Sequence, residues 1–422
     1  MSDALESGDK VEVQWKGTTF SGMFISKDEK ITVIKLQNGY NLSLENVSIS
    51  SINLISKYSP KNVVRGNLTG KGKRVFLLGT GGTIASYVDY ETGAVKPAKT
   101  AQEMLYAQPD LARVASVDAE IILNILSEDM KKSDWINIAK KVFEKVNQKE
   151  GVVITHGTDT LSFTSSALSF LIENPSAPIV ITASQRSPDR PSSDAFFNLT
   201  GAVKVAQSDL GEVGVVMHSS TSDDTLDIHS GVRLRKMHSS RRDAFKSVNS
   251  EPIGTVDCNL NIHWKKYEKV NGKPTKLYDK LSEKVGLLYF YPGLSEEIFN
   301  KFAETNDGII LAGTGLGHIS NRFLSQVKDY TDDGKIIGIT TQCLYGEVNL
   351  EVYTTGRNML EAGVIPLHDM LPEVAYTKLS FLLGNFDHDT ARNLFILFPM
   401  NVQVAIDSAD RFRIDAIERV PS

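Results

Sequence analysis

Two glycine- and threonine-rich segments combine residue types that suit a hydrolytic site. Gly79–Ala85 has three glycines within four positions, and Thr155–Thr160 places a hydroxyl, an imidazole and a carboxylate side by side. Each follows an apolar, β-branched run, Val75–Leu78 or Val152–Ile154. In open α/β sheets the working residues lie just past the carboxyl ends of strands. Glycines let the backbone approach a ligand closely, and Thr83 offers a hydroxyl there.

The first segment has two simpler interpretations, a tight loop or a nucleotide-binding turn. It has neither the GxGxxG spacing of a dinucleotide site nor the Gly-Lys-Ser/Thr ending of a P-loop. The phosphate-binding interpretation is therefore disfavoured, and the loop interpretation stays open.

The second segment needs partners for its polar groups, because polar groups near a sheet core must be satisfied. Thr158 and Asp159 are candidates for catalysis, but Asp159 or Thr160 could instead cap a helix that begins near Leu161. The sequence alone leaves both possibilities open. We interpret His156 as a structural hydrogen-bonding residue.

A lysine would complete a threonine-based site, since a threonine hydroxyl is a poor nucleophile until a base takes its proton. Lys236 is the candidate, within the basic segment Gly231–Phe245. By composition that segment is a solvated face or a phosphate-contacting patch. Its spacing does not single out Lys236.

The elements that must position these residues are predicted to form an α/β fold of two domains behind a small β-barrel. Residues 10–55 contain short β-rich runs, with Asn38–Gly39 as a type I′ turn, and predict an SH3-like barrel. A polar linker follows, and then strands alternate with helices, which favours parallel sheets covered on both faces. A hydrophilic break at 264–283 divides the two α/β units. We expect domains at 1–70, 71–264 and 265–422.

Composition excludes several classes of protein. The net charge of -5 and the charged fraction of 23% are not those of a basic nucleic-acid binder. Cys258 and Cys343 are too few for a disulfide framework and lack zinc-ligand spacing. The N-terminus has no secretion signal pattern, and no apolar run approaches the roughly 18 to 20 residues that span a bilayer. We expect a cytoplasmic protein.

The two motifs together resemble the signatures of bacterial-type L-asparaginases. Thr80–Ala85 and Thr155–Thr160 occur in the family's order, each after a strand, and the resemblance covers Arg74 to the C-terminus. It implies a larger N-terminal α/β domain, a smaller C-terminal one, and amide hydrolysis with no metal. Acyl transfer to a threonine would release ammonia.

The resemblance also implies a role for each matching residue. Thr83 corresponds to the nucleophile, although which threonine attacks first is not decided by the sequence. The implied catalytic residues are Thr83, Thr158, Asp159 and Lys236. The implied substrate-binding residues are Ser127, Glu128 and Gly82, with Ser127 on the substrate α-carboxylate and Asp159 also on its α-amine.

Two positions depart from the family pattern. Many asparaginases have glutamine where this chain has Glu128. The tyrosine of the family's mobile loop falls near Ala94, with Tyr87 and Tyr90 as substitutes. The resemblance therefore does not assign the substrate contacts at these two places.

The predicted barrel, the loop 85–95 and the basic segment resemble the D subunits of archaeal glutamyl-tRNA(Gln) amidotransferases. That resemblance implies a homodimer within a heterotetramer, in which this chain hydrolyses glutamine or asparagine and passes ammonia to the E subunit of the same enzyme. The partner would use ATP and Mg²⁺ to convert Glu-tRNA(Gln) to Gln-tRNA(Gln). The acidic net charge suits a chain that leaves most tRNA binding to its partner.

Three other functions fit parts of the sequence. A stand-alone cytoplasmic L-asparaginase would have the same site; it has no need of the barrel, although a barrel that serves only dimerisation or solubility would fit it. A non-catalytic amino-acid binder or tRNA scaffold has no use for a lysine beside a threonine. A dehydrogenase built on Gly313–Gly317 is disfavoured because that run falls short of the dinucleotide fingerprint and predicts a tight turn.

Overall fold

The computed structural model describes residues 5–6, 8–36, 40–57, 70, 72–82, 84, 86–88, 95–97, 109–188, 190 and 192–397, with the backbone alone at 86–88, 95–97, 109–110 and 397. The expected turn at Asn38–Gly39 and most of the linker lie outside the described residues.

The N-terminal region forms one antiparallel sheet. Its five strands are β1 (Lys10–Trp15), β2 (Thr18–Lys27), β3 (Ile31–Leu36), β4 (Asn41–Glu45) and β5 (Ile49–Ser56), in the order β4-β3-β2-β1-β5. Alternate residues such as Val11 and Val13 point inward and form a small core with Phe24, Ile34 and Leu44. Four strands were predicted and β5 was missed. Closure into an SH3-like barrel stays a prediction.

The second region is built on an eight-stranded mixed sheet. The strands described from residue 74 to 277 are β6 (Arg74–Gly81), β7 (Ser86–Val88), β8 (Val95–Pro97), β9 (Ser116–Ile125), β10 (Gly151–Thr155), β11 (Ile172–Glu173), β12 (Ile179–Thr182), β13 (Val213–His218), β14 (Thr225–Ser230), β15 (Leu234–Lys236), β16 (Phe245–Ser247), β17 (Gly254–Asp257), β18 (Ile262–Trp264) and β19 (Lys276–Leu277). The large sheet has the order β18-β17-β14-β13-β12-β10-β6-β9.

The five strands from β13 to β9 in that order are parallel, and β14, β17 and β18 continue the sheet antiparallel. The predicted strands at 75–78, 152–155, 179–182 and 213–217 are confirmed, whereas the antiparallel extension was not expected. Helices α1 (Lys132–Asn147), α2 (Leu161–Leu171) and α3 (Ala195–Val205) cover the sheet. Strands buried on both faces explain the continuous apolar runs.

The third region is a smaller sheet of four parallel strands, β20 (Val285–Tyr289), β21 (Gly308–Gly313), β22 (Ile336–Thr341) and β23 (Ile365–Pro366). Its helices are α4 (Glu296–Glu304), α5 (Leu324–Asp332), α6 (Thr354–Glu361), α7 (Pro372–Asn385) and α8 (His388–Leu397). The predicted tight turn after β21 is confirmed, with Gly315 and Gly317 at positive φ.

Helix α7 packs against both α/β regions. It begins with Pro372, whose fixed φ suits a first helical position. Phe381 on this helix stacks on Phe170 of α2 with ring centroids 5.9 Å apart, and both belong to one buried apolar cluster. The second region is therefore packed directly against the third, C-terminal region.

Candidate active site

The candidate residues gather at one edge of the large sheet, where its parallel strands end. Strands β6, β9 and β10 deliver Gly82, Ser127 and the loop 156–160 to this edge. The Thr80 hydroxyl donates a hydrogen bond of 2.8 Å to the buried Thr155 carbonyl and so ties the ends of β6 and β10 together. The two motifs found in the sequence are therefore neighbours in the fold.

Glycines allow the loops at this edge to touch. Gly82 has a φ of +82°, and a Cβ there would lie 2.7 Å from the backbone nitrogen of Gly157. A Cβ on Gly157 would in turn lie 2.7 Å from the Cβ of Ser127. Larger residues cannot fit at either position without movement of the backbone. Thr83, the expected nucleophile, follows Gly82 but lies outside the described residues.

Lys236 connects the two polar groups of the second motif. Its Nζ lies 2.8 Å from the Thr158 Oγ1 and 2.9 Å from the Asp159 Oδ1. The lysine side chain is 15% exposed, whereas that of Asp159 is 65% exposed and faces solvent. The amine is thus placed to exchange a proton with a threonine hydroxyl, and the carboxylate can balance its charge.

The path of the chain explains how Lys236 reaches Thr158. Gly231 follows the end of β14, and its carbonyl accepts a 2.7 Å hydrogen bond from the Ser165 hydroxyl on α2. This bond fixes the chain where it leaves the sheet. The chain then runs back as β15, paired antiparallel with β16 so that Lys236 lies opposite the fully buried Phe245. This short ribbon returns the lysine to the motif.

The helix-capping interpretation of Asp159 and Thr160 is wrong. The Asp159 carboxylate contacts Lys236, and the Thr160 hydroxyl donates a 2.7 Å hydrogen bond to the carbonyl of Ser127. Thr160 does occupy the residue before α2, but within the described residues its side chain makes no capping hydrogen bond. In the described part of the chain, neither side chain therefore caps the helix.

His156 is a structural residue in this geometry. It is fully buried, with Nδ1 2.7 Å from the Gly157 carbonyl and Nε2 2.8 Å from the Thr164 hydroxyl. Since a carbonyl can only accept, Nδ1 carries the proton and Nε2 accepts from Thr164, which itself accepts from the Trp135 indole at 2.8 Å. Burial lowers the pKa of His156 to about 4, so the ring is neutral at pH 7.

Arginines of the basic segment are paired with carboxylates, and the interpretation as a solvated face is wrong for Arg233, Arg235 and Arg242, which are mostly buried, whereas Arg241 is 53% exposed. The ion pairs are Arg233–Asp369, Arg235–Glu373, Arg241–Asp243 and Arg242–Asp223. Two of these partners, Asp369 and Glu373, belong to the C-terminal region. The pairing of Arg235 with Glu373 was not predicted from the sequence. The one available signal is strand alternation, which places Arg235 on the face opposite Lys236.

The expected substrate-binding residues lie at the same edge. Ser127 is buried and faces Gly157, whereas Glu128 is exposed on the short turn Ser127–Asp129. Tyr90, Ala94 and the side chain of Tyr87 lie outside the described residues. Among the described residues no three His, Cys, Asp or Glu side chains form a metal-binding group, and the expectation of metal-free hydrolysis stays a prediction.

Family profiles match nearly the whole described chain. Residues 74–268 match "Asparaginase, N-terminal", residues 284–395 match "Glutaminase/Asparaginase C-terminal domain", and residues 5–55 match "GatD N-terminal domain". The chain is 45% identical over 409 residues to the D subunit of the glutamyl-tRNA(Gln) amidotransferase of Saccharolobus islandicus, with 93% of this chain and 91% of the relative covered. The chain belongs to the family of amidotransferase D subunits.

Other members of this D-subunit family are similarly related. That of Pyrococcus furiosus is 45% identical over 90% of this chain and 88% of its own length, and that of Archaeoglobus fulgidus is 44% identical over 93% and 94%. Members of the D-subunit family therefore match this chain over nearly its full length.

Solved structures place the α/β regions of this family member among L-asparaginases. The thermostable L-asparaginase from Thermococcus kodakarensis superposes with a TM-score of 0.71 at 35% identity, covering 78% of this chain and 99% of its own. L-asparaginase I from Vibrio cholerae gives 0.66 at 29% identity, covering 76% and 96%. Between a fifth and a quarter of this chain therefore lies outside these superpositions.

None of the helices in the described part of the chain is both long enough and apolar enough to cross a bilayer.

Proposed function

We propose that this chain hydrolyses the side-chain amide of glutamine or asparagine and supplies the ammonia to a partner, the amidotransferase E subunit, which converts Glu-tRNA(Gln) to Gln-tRNA(Gln). The observation that carries the proposal is the Lys236 amine, 2.8 Å from the Thr158 hydroxyl and 2.9 Å from the Asp159 carboxylate. A lysine, a threonine and an aspartate in contact, at the edge of the sheet where glycines let the loops approach, suit acyl transfer to a hydroxyl.

The chemistry proceeds through an ester. A threonine oxygen, assigned to Thr83 by the family resemblance, attacks the amide carbonyl carbon and gives up its proton. The carbon–nitrogen bond breaks, and the nitrogen leaves as ammonia after gaining a proton. Water then attacks the ester carbon, which releases the acid and restores the threonine. Lys236, Thr158 and Asp159 relay these protons.

The substrate is held by groups on either side of Thr158. Ser127 binds the α-carboxylate and Asp159 binds the α-amine, while the backbone at Gly82 borders the reacting amide. The contact of Gly157 with both Gly82 and Ser127 supports this arrangement, because it brings the three loops within the length of one amino acid. ATP and Mg²⁺ serve the partner's step, not the hydrolysis.

The direct test compares Thr83→Ala and Thr158→Val with the unaltered chain in ammonia release from glutamine and asparagine. We expect both variants to lose hydrolysis while their circular dichroism stays unchanged. Thr305→Val, at an exposed position in the C-terminal region, is the control for a lost threonine hydroxyl. Substantial glutaminase activity in either purified site variant contradicts the assignment.

A stand-alone L-asparaginase is the second candidate, and the likeness to solved L-asparaginases favours it. The N-terminal sheet favours the amidotransferase function, because that segment matches a domain of the D-subunit family. We expect sluggish glutamine hydrolysis by the chain alone and faster hydrolysis when the E subunit and Glu-tRNA(Gln) are added. Rapid asparagine hydrolysis that is indifferent to any partner supports the second candidate instead.

A further inference from the structure

The position of Lys236 depends on a very small element. Strand β15 has three residues and pairs with β16 alone, and a two-stranded ribbon by itself is marginally stable. Leu234 is buried in the core and Lys236 points to Thr158, so Arg235 between them points to the opposite face. Whatever holds Arg235 therefore helps to hold the lysine.

Arg235 is held by the C-terminal region. Its Nε lies 3.0 Å from the Glu373 Oε1, and its Nη2 donates a 3.1 Å hydrogen bond to the Tyr289 hydroxyl. The arginine and glutamate side chains are 17% and 11% exposed. Glu373 lies in the first turn of α7, where the helix dipole favours a negative charge.

A second pair lies on the same side of the ribbon. Arg233 contacts Asp369, which precedes α7 in the chain. Both arginines therefore reach across to one segment of the other region; they flank Leu234, and Arg235 directly precedes Lys236. Consecutive Cα atoms are about 3.8 Å apart, so a shift of Arg235 passes directly to the lysine.

We propose that the pairing of Arg235 with Glu373 positions Lys236, so that the C-terminal region sets the distance between the catalytic amine and Thr158. Arg235 acts through its neighbour and touches neither substrate nor reacting atoms. Buried ion pairs contribute little net stability but can fix one geometry, and the planar guanidinium of arginine suits that role better than lysine. The inference rests on the proposed function, since it gives Lys236 a catalytic part.

The test measures glutamine hydrolysis by the full-length chain carrying Arg235→Met together with Glu373→Gln, which removes both charges and leaves no unpaired buried carboxylate. We expect kcat to fall about tenfold or more while KM stays within about threefold, because a misplaced catalytic group slows the chemical step. Arg235→Lys is the milder second variant, with a smaller loss of kcat in the same direction.

The matched control is Arg241→Met. Arg241 pairs with Asp243 at 2.9 Å in the loop of the same ribbon, and neither residue reaches the C-terminal region through this pair. We expect kcat within about twofold of the unaltered chain, as for a surface ion pair. The exchanged pair Arg235→Glu with Glu373→Arg should recover part of the kcat that Arg235→Glu alone loses.

An unchanged kcat in the double variant and in Arg235→Lys overturns the inference, and so does a loss that appears in KM instead of kcat. Lys236→Met, measured in parallel, separates this failure from that of the proposed function. If Lys236→Met keeps the original kcat, the catalytic role of Lys236 is wrong. If Lys236→Met is inactive and the Arg235 variants are unaffected, the positioning role alone is wrong.

Discussion

A Gly157→Ala substitution would place a methyl group 2.7 Å from the Cβ and 2.8 Å from the Oγ of Ser127. Carbon atoms pack at about 3.5 to 4.0 Å, so Ser127 or the loop that carries Thr158 must move by about 1 Å. The backbone of Gly157 is outside the left-handed region, and alanine causes no strain of its own there. The perturbation is therefore a displacement between the proposed carboxylate-binding serine and the proposed catalytic threonine.

A displacement of about 1 Å in a catalytic constellation can lower the rate about 100-fold. We therefore expect kcat/KM for glutamine to fall by about that factor, which corresponds to about 2.7 kcal/mol of transition-state stabilisation. The assay is ammonia release over a range of glutamine concentrations, with the thermal midpoint measured for each protein. Gly272→Ala is the control for an added methyl group away from the site: its Cβ would meet open space, and its φ of +73° means that alanine costs stability there but should leave kcat/KM unchanged. A Gly157→Ala protein with kcat/KM within about twofold of the original refutes the proposed placement of Ser127 beside the loop that carries Thr158.

Three further predictions concern the same edge of the sheet. Asp159→Asn should lower kcat for glutamine about tenfold or more. It should change the free energy of unfolding by less than about 1 kcal/mol because the Asp159 carboxylate itself faces solvent; a loss of stability without a loss of activity would contradict this prediction. His156 is protonated more readily unfolded, with a pKa of about 6.5, than folded, where its pKa is about 4. The contribution of neutral His156 to the free energy of unfolding is therefore fully present above pH 6.5 and is lost as the pH falls towards 4, in total about 3 to 4 kcal/mol. Urea unfolding of His156→Gln should show a weaker pH dependence than that of the exposed control His263→Gln; equal slopes would count against this prediction. Thr80→Val should lower the free energy of unfolding by about 1 kcal/mol, because the hydrogen bond from its hydroxyl to the Thr155 carbonyl is lost. A urea titration that shows no difference would reject the stabilising role of this hydrogen bond.

The parts of the fold that the sequence predicts are those with a strong local pattern. Runs such as Val152–Thr155 are continuous and β-branched, so buried parallel strands were expected and are confirmed. Strand β5, Ile49–Ser56, was missed because its serines and asparagine break the apolar pattern, as suits a strand in which no residue is buried. The antiparallel strands β17 and β18 are short, at four and three residues, and carry too few residues to show a period.

The candidate site was predictable where its residues follow strands, and less so elsewhere. Thr158 and Asp159 come directly after β10, so their location follows from the rule that parallel strands end at one edge. Lys236 comes from a ribbon that is 77 residues from Asp159 along the chain, and family resemblance was needed to find it. Glu373 is more distant still, and no local pattern connects it with Arg235.

The measurement that tests the central claim most directly follows amide-¹⁵N-labelled glutamine through the assembled amidotransferase. The purified chain, the E subunit, ATP, Mg²⁺ and Glu-tRNA(Gln) are combined, and the label in tRNA-bound glutamine is measured by mass spectrometry. Lys236→Met should abolish transfer from labelled glutamine, while unlabelled ammonium chloride in place of glutamine should still yield Gln-tRNA(Gln). Undiminished label transfer by the Lys236→Met complex contradicts the proposed site.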